Sequence, residues 1–187
     1  MFALLIGVAS LFTGCETEVK QTSTSTGISP RTMADALHTV MEADRTVYAK
    51  YVVNRLVNEE KVVKASEHWK DDKALPLPAQ MFRLGAEEAA ENGAEFTYSL
   101  ISNWAINSKN SPKTEAEKQG LKFIEENPGE NFYAEEVLGD IRYFTAIYPD
   151  VAVAKACVTC HNEHQDSPKS DFKTGDIMGG VIIRFPL

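Results

Sequence analysis

Cys157, Cys160 and His161 stand in the run Cys157-Val158-Thr159-Cys160-His161, the pattern C-x-x-C-H. On a helix, positions i, i+3 and i+4 share one face, so two thiols and an imidazole would meet one flat partner. The chemistry this pattern serves is covalent haem attachment. The thiols add across the two vinyl groups of a porphyrin, and the imidazole becomes the proximal iron ligand. Two rival readings use the same residues. A zinc site would take Cys157, Cys160, His161 and His164, all within one short stretch, whereas structural zinc usually draws its ligand pairs from separated segments. A thioredoxin-like pair would want its cysteines at the start of a helix that follows a strand. The spacing predicts a single covalent haem c.

The distal side of the iron has several candidates. His68, in Glu67-His68-Trp69, precedes the Leu75-Pro76 segment that turns the chain back, and it leads among protein ligands. His38, on the apolar stripe of a long helix, is its rival. Met33, Met41, Met81 and Met178 could each give a thioether, and an open or water-bound iron is the remaining alternative. His164, close behind the motif, reads as a solvated loop residue. Arg45, Arg55, Arg83 and Arg142 are candidates to pair with haem propionates, although an isolated arginine is ordinarily a surface charge. Tyr48, Trp69, Tyr98, Trp104 and Phe172 could pack on a porphyrin or simply fill a core.

Covalent haem attachment in bacteria takes place outside the inner membrane, and the amino terminus is consistent with export. Residues 1–14 carry no charge and are mostly apolar. They are too short to span a bilayer, which takes about 20 apolar residues, but they have the length of a signal-peptide core. Leu11-Phe12-Thr13-Gly14-Cys15 resembles a bacterial lipobox, in which cleavage precedes a cysteine that is then lipidated. Residues 1–14 therefore read as a lipoprotein signal peptide. The polar Ser/Thr-rich residues 15–28 read as a flexible tether reaching on the order of 20 Å, and residues 29–187 as the haem-binding domain. The chain has three cysteines; Cys15 takes the lipid, and Cys157 and Cys160 take the haem. The formal net charge of −8 argues against nucleic acid and against electrostatic binding to anionic lipid. Any membrane contact then goes through the lipid anchor, and the expected location is the periplasm or cell envelope.

The elements that must position the motif follow from periodicity. Ser29-Pro30 and Thr32-x-x-Asp35 predict a helix start with a capping box. Met33, Leu37, Val40, Met41, Val47, Tyr48, Tyr51, Val52 and Leu56 recur at helical spacing, so a long amphipathic helix runs to about Asn58 or on to Lys64. Ala79 to Asn92 reads as a second helix, and a third opens at Ser111-Pro112 and stops at Asn127-Pro128-Gly129. Strands are expected over Phe96–Ser102, Phe132–Val137, Ile141–Tyr148 and Gly179–Phe185. Pro149-Asp150 is expected to cap a helix from Val151 that carries the motif. Helices first, then strands with interspersed helices, give an α+β domain built on an antiparallel sheet.

An ordered set of short stretches resembles the exported haem domains known as the DUF3365, or Tll0287-like, family. The set comprises Ala74-Leu75-Pro76-Leu77-Pro78-Ala79, Tyr98-Ser99-Leu100-Ile101-Ser102, Asn107-x-x-Asn110-x-Pro112 and Glu115 to Leu121. It continues with Tyr148-Pro149, Cys157 to His161, and Gly175-Asp176-x-x-Gly179. The resemblance covers most of the chain from about Met33. It implies a PAS-like antiparallel sheet flanked by helices, with a long N-terminal helix and a covalent haem in the pocket. Many members carry glycine after the haem histidine, where this chain has Asn162.

No Gly-rich phosphate loop, G-x-S-x-G or H-E-x-x-H is present, which argues against phosphoryl transfer and these hydrolytic classes. The leading expectation is a membrane-anchored electron-transfer or redox-active haem protein with a redox partner. The alternative is a haem-based gas or redox sensor acting through a signalling partner, and a peroxidase-like enzyme is a weaker third. Two strong protein ligands on iron suit electron transfer, whereas an open position suits gas or peroxide.

Overall fold

The computed structural model describes residues 27–187. Residues 1–14, read above as a signal peptide, Cys15, and all but the last two residues of the stretch read as a tether lie outside the described residues.

Ser29 is the true N-cap of the first helix, α1 (Pro30–Val47), and its hydroxyl accepts from Thr32 N at 3.1 Å. Pro30 fills the first turn, where its missing N–H costs nothing. The expected capping box at Thr32 is absent because Asp35 turns inward to tyrosines instead. The helix continues without a break into a wider π-helical segment, Tyr48–Glu59. There the backbone hydrogen bonds lengthen by one residue, as in Glu60 N to Arg55 O. It ends at Lys61, which takes the left-handed conformation (φ 56°).

Pro78–Glu91 forms α2, and Glu115–Glu126 forms α3. The α3 start falls later than Ser111-Pro112 because Thr114 and Glu117 make a reciprocal capping box. Four strands, β1 (Thr97–Ile101), β2 (Phe132–Leu138), β3 (Ile141–Val151) and β4 (Ile177–Pro186), form one antiparallel sheet in the order β1-β4-β3-β2. This is the α+β, PAS-like arrangement that the sequence implied. Among the described residues no helix is long and apolar enough to cross a membrane.

One expectation fails at the end of β3. Pro149-Asp150 does not cap a helix; the strand runs through both residues to a bulge at Val151, pairing Pro149 with Gly180. Pairing with β2 stops at Ile147, so the proline stands where one side of the strand is already an edge, the setting a sheet tolerates. Residues 152–154 then lead directly into α4 (Lys155–Glu163).

The period-2 alternation of β3 and β4 divides the core between two faces. Ala146, Tyr148, Val181 and Ile183 meet Ala34 of α1 and Phe82 of α2. Ile147 and Ile182 meet Leu121 and Ile124 of α3. Beyond the sheet end, Ala152, Phe172 and Met178 gather with Trp104, Cys157 and Val158. This third cluster seats the helix that carries the motif.

Candidate functional site

α4 holds Cys157, Cys160 and His161 at the spacing that puts them on one helix face. Both cysteines are free thiols, Cys157 half-buried and Cys160 exposed. The helix is short and has no side-chain N-cap, so tertiary contacts must hold it. It packs against the π segment and on the third core cluster. Asn162 brackets it from behind. Its side-chain amide donates to Phe172 O at 2.9 Å and accepts from Phe172 N at 3.0 Å. That pair explains why asparagine serves at this position.

The His161 ring meets Phe172 edge-on at 6.0 Å. Its Nδ1 is buried and has no hydrogen-bond partner. Burial is the main influence on its pKa and lowers it; the Asp150 charge opposes this, and His164 and Arg45 add to it. Burial thus favours the neutral imidazole, and one buried ring nitrogen is unsatisfied. Such a nitrogen costs free energy unless something binds it, and a neutral imidazole is the form that coordinates metal.

The thiols do not look like a redox pair. Desolvation, followed by the charges of Glu67, Cys157 and Glu163, raises the Cys160 pKa, whereas an attacking thiol needs its pKa lowered. Nor do the motif residues form a bare-ion site. Among the described residues no three His, Cys, Asp or Glu side chains converge as they would on a metal ion. His164 points its Nε2 at Glu67, 3.1 Å away. The donors present fit haem: two thiols and one imidazole on a helix face, next to an aromatic cluster.

A groove opens between α1, α2 and the end of β3, walled by His38, Glu42 and Arg45 of α1, Phe82 of α2, and Pro149 to Val151 of β3. His38, Glu42, Pro149 and Val151 also border an adjoining cavity of about 310 Å³ that extends to Gly129, Asn131 and Gly175. Arg45 and Asp150 form an ion pair within the groove, both side chains largely buried. The charges of this pair act on His38 and His161 alike. His38 lies flat on the Tyr148 ring, with centroids 3.9 Å apart and planes 10° apart. Burial lowers its pKa against the opposing pull of Glu42. Behind it, Asp35 Oδ1 accepts from the hydroxyls of Tyr133 at 2.7 Å and Tyr148 at 2.8 Å.

The remaining candidates scatter. His68 is exposed on a turn, its backbone N bonded to Ser66 Oγ. Arg55, Arg83 and Arg142 pair with Glu60, Glu87 and Glu135 on the surface, so Arg45 alone of the four faces the groove. Met33 is on the outer face of α1, Met41 packs in the core, Met81 is half-buried on α2, and Met178 lies in the cluster beside Cys157. Trp104 and Phe172 stack edge-on there. Tyr48 bonds Pro76 O, Tyr98 packs on Phe82, and Trp69 carries Lys70 over its ring. Asp150 and Glu42 line the groove, and the Asp35–Tyr148 pair backs His38; sequence reading assigned none of them to the site. Asp150 immediately precedes the motif segment and so gave a signal of sorts, but its pairing with Arg45 is a long-range contact.

A family model described as "Tll0287-like: Tll0287" matches residues 23–186. No curated protein matches the chain. Among solved structures, the crystal structure of the cyanobacterial heme-protein Tll0287 is similar, with a TM-score of 0.53 and 17% sequence identity, over 85% of this chain and 97% of that one. At that identity the likeness speaks for the fold.

Proposed function

The chain belongs to the Tll0287-like family, and on that premise we propose that it is a c-type haem protein, with Cys157 and Cys160 as the attachment thiols and His161 as the proximal iron ligand. The observation that carries this reading is the α4 face, where two free thiols stand beside a buried imidazole whose Nδ1 has no partner. Attachment needs no oxidant. Each S–H adds across a vinyl C=C, a C–S bond forms, and the hydrogen ends on the neighbouring carbon. Haem, when bound, supplies one-electron exchange and an axial coordination site.

The chain's own residues then set the environment. Phe172 orients the His161 ring, and Asn162 fixes the helix behind it. Arg45 is the groove cation suited to a propionate. His38 would be the second iron ligand in this reading, preferred to His68 because it is half-buried, with burial holding its pKa down, and on the groove, whereas His68 is exposed. Two imidazoles on one iron suit electron transfer, the leading role. The Leu11–Cys15 run supports export and a lipid anchor at the cell envelope.

A haem-based sensor is the second reading, and the cavity of about 310 Å³ beside His38 favours it, because a small ligand there would compete for the same coordination site. Reduced protein that ignores carbon monoxide supports electron transfer; rapid binding supports the sensor. The attachment itself is tested by expressing the chain with a cytochrome c maturation system and extracting it with acid–acetone. Haem should stay on the polypeptide and add one haem mass. Free haem in the organic layer refutes the proposal.

A further inference from the structure

An apolar stripe runs along the outer face of α1. Met33, Val40 and Val47 recur every seven residues along it and are 37%, 60% and 52% exposed. Ala36 and Ala43 lie between them, also exposed; exposed Asp44 flanks the stripe along one edge, and Lys50 follows at its end. The other helices differ. The outer face of α2 presents Arg83, Glu87 and Glu91, and that of α3 presents Glu115, Lys118 and Lys122. A seven-residue apolar repeat is the pattern of a helix that packs against another helix.

We infer that this face pairs with the same face of a second copy of the chain, antiparallel, about a two-fold axis level with the midpoint between Val40 and Ala43. Three features select that occupant. First, the stripe is complementary to itself. In the antiparallel register Val40 lies opposite the partner's Ala43 and Ala36 opposite the partner's Val47, and symmetry repeats both layers, so a large side chain meets a small one each time. Second, a parallel pair would stack Val40 on Val40, Ala43 on Ala43 and Lys50 on Lys50. The antiparallel pair separates the lysines and lays each lysine stem over a Met33, with the ammonium in water. Third, the opposite face of α1 is buried on its own sheet through Ala34, His38 and Arg45, so the two domains lie outside the helix pair and do not collide. The stripe from Met33 to Val47 is about 21 Å long, which puts the contact in the weak class, below about 1,200 Å² in total. The inference does not depend on the haem reading.

Sedimentation equilibrium of the full chain in density-matched detergent, over about 1–300 µM, tests it. A reversible dimer is expected. Val40 is exposed, so Val40→Lys should leave the circular dichroism spectrum unchanged and weaken dimerisation at least about tenfold. The double variant Val40→Cys/Ala43→Cys should form a disulfide-linked dimer on mild oxidation, and Val40→Cys alone should not. A monomer throughout the range, or a dimer indifferent to Val40→Lys, overturns the interface. Ready cross-linking of Val40→Cys alone overturns the antiparallel register.

Discussion

Replacing Arg184 with methionine should cost the domain far more than a surface ion pair would. The guanidinium of Arg184 joins two carboxylates on the α3 side of the sheet, Nε to Glu136 Oε1 and Nη2 to Glu117 Oε1, each at 2.8 Å. All three side chains are nearly buried, at 13%, 10% and 7% exposure. Burial alone would raise the pKa of both acids. For Glu117 the backbone N–H groups of Lys113 and Thr114 together with Arg184 outweigh burial, and for Glu136 the Thr145 hydroxyl, Arg184 and Thr114 do so; both pKa values end below the ordinary range. A methionine fills similar volume but leaves two buried charges facing each other. Removing one partner of a buried network costs about 3–5 kcal/mol, which for a domain of this size lowers Tm by roughly 6–20 °C.

The pH dependence gives a second signature. In the wild type the depressed pKa values stabilise the fold above the ordinary carboxylate value of 4.5, and this contribution is lost as pH falls through the folded values. In Arg184→Met burial prevails and the folded pKa values rise, so acid relieves the penalty as the carboxylates protonate. The gap between variant and wild type should therefore shrink from neutral pH toward 4.5. Thermal melts followed by circular dichroism at both pH values measure it. A loss under about 1 kcal/mol at neutral pH, or a gap constant with pH, would refute the reasoning.

His38→Ala in haem-loaded protein should convert a low-spin ferric spectrum to high-spin and admit carbon monoxide on reduction, while His68→Ala should change neither. The reverse pattern in absorption spectra would give the ligand role to His68. Gly179→Ala should destabilise by about 1–3 kcal/mol, because the new Cβ would meet Ile101 O at 2.4 Å and Ser102 Cβ at 3.0 Å within a paired ladder; a denaturant midpoint equal to wild type would contradict this. Cys15→Ser should release the protein from membranes on fractionation, and a wild type that is already soluble and carries no acyl mass would exclude the anchor.

Local pattern carried the architecture and long-range pairing did not. The alternation in Ile141–Tyr148 marked β3, and the i, i+3, i+4 spacing set the α4 face, since both depend only on neighbours in the chain. Asp35 looked like part of a capping box because that motif is local, yet it bonds Tyr133 and Tyr148, far along the chain. Pro149-Asp150 looked like a helix cap for the same reason. Only the early end of β2 shows that a proline can remain in β3 there, and only folding brings Asp150 to Arg45. The π segment keeps an apolar pattern close enough to 3.6 that sequence periodicity reads it as plain helix.

The Asn162–Phe172 bracket makes the two flanks of the motif unequal as places for change. Upstream, residues 152–154 join β3 to α4 directly, and Ala152 and Ala154 are buried, so an inserted residue would swing the cysteines out of register with their seat. Downstream, residues 163–171 form a closed loop whose ends the asparagine already holds together. Lengthening such a loop costs only about 0.6 kcal/mol per doubling. Variation among relatives, and any peptide tag introduced by design, should therefore collect in that loop, a few residues from Cys157 and Cys160 and without effect on their aim.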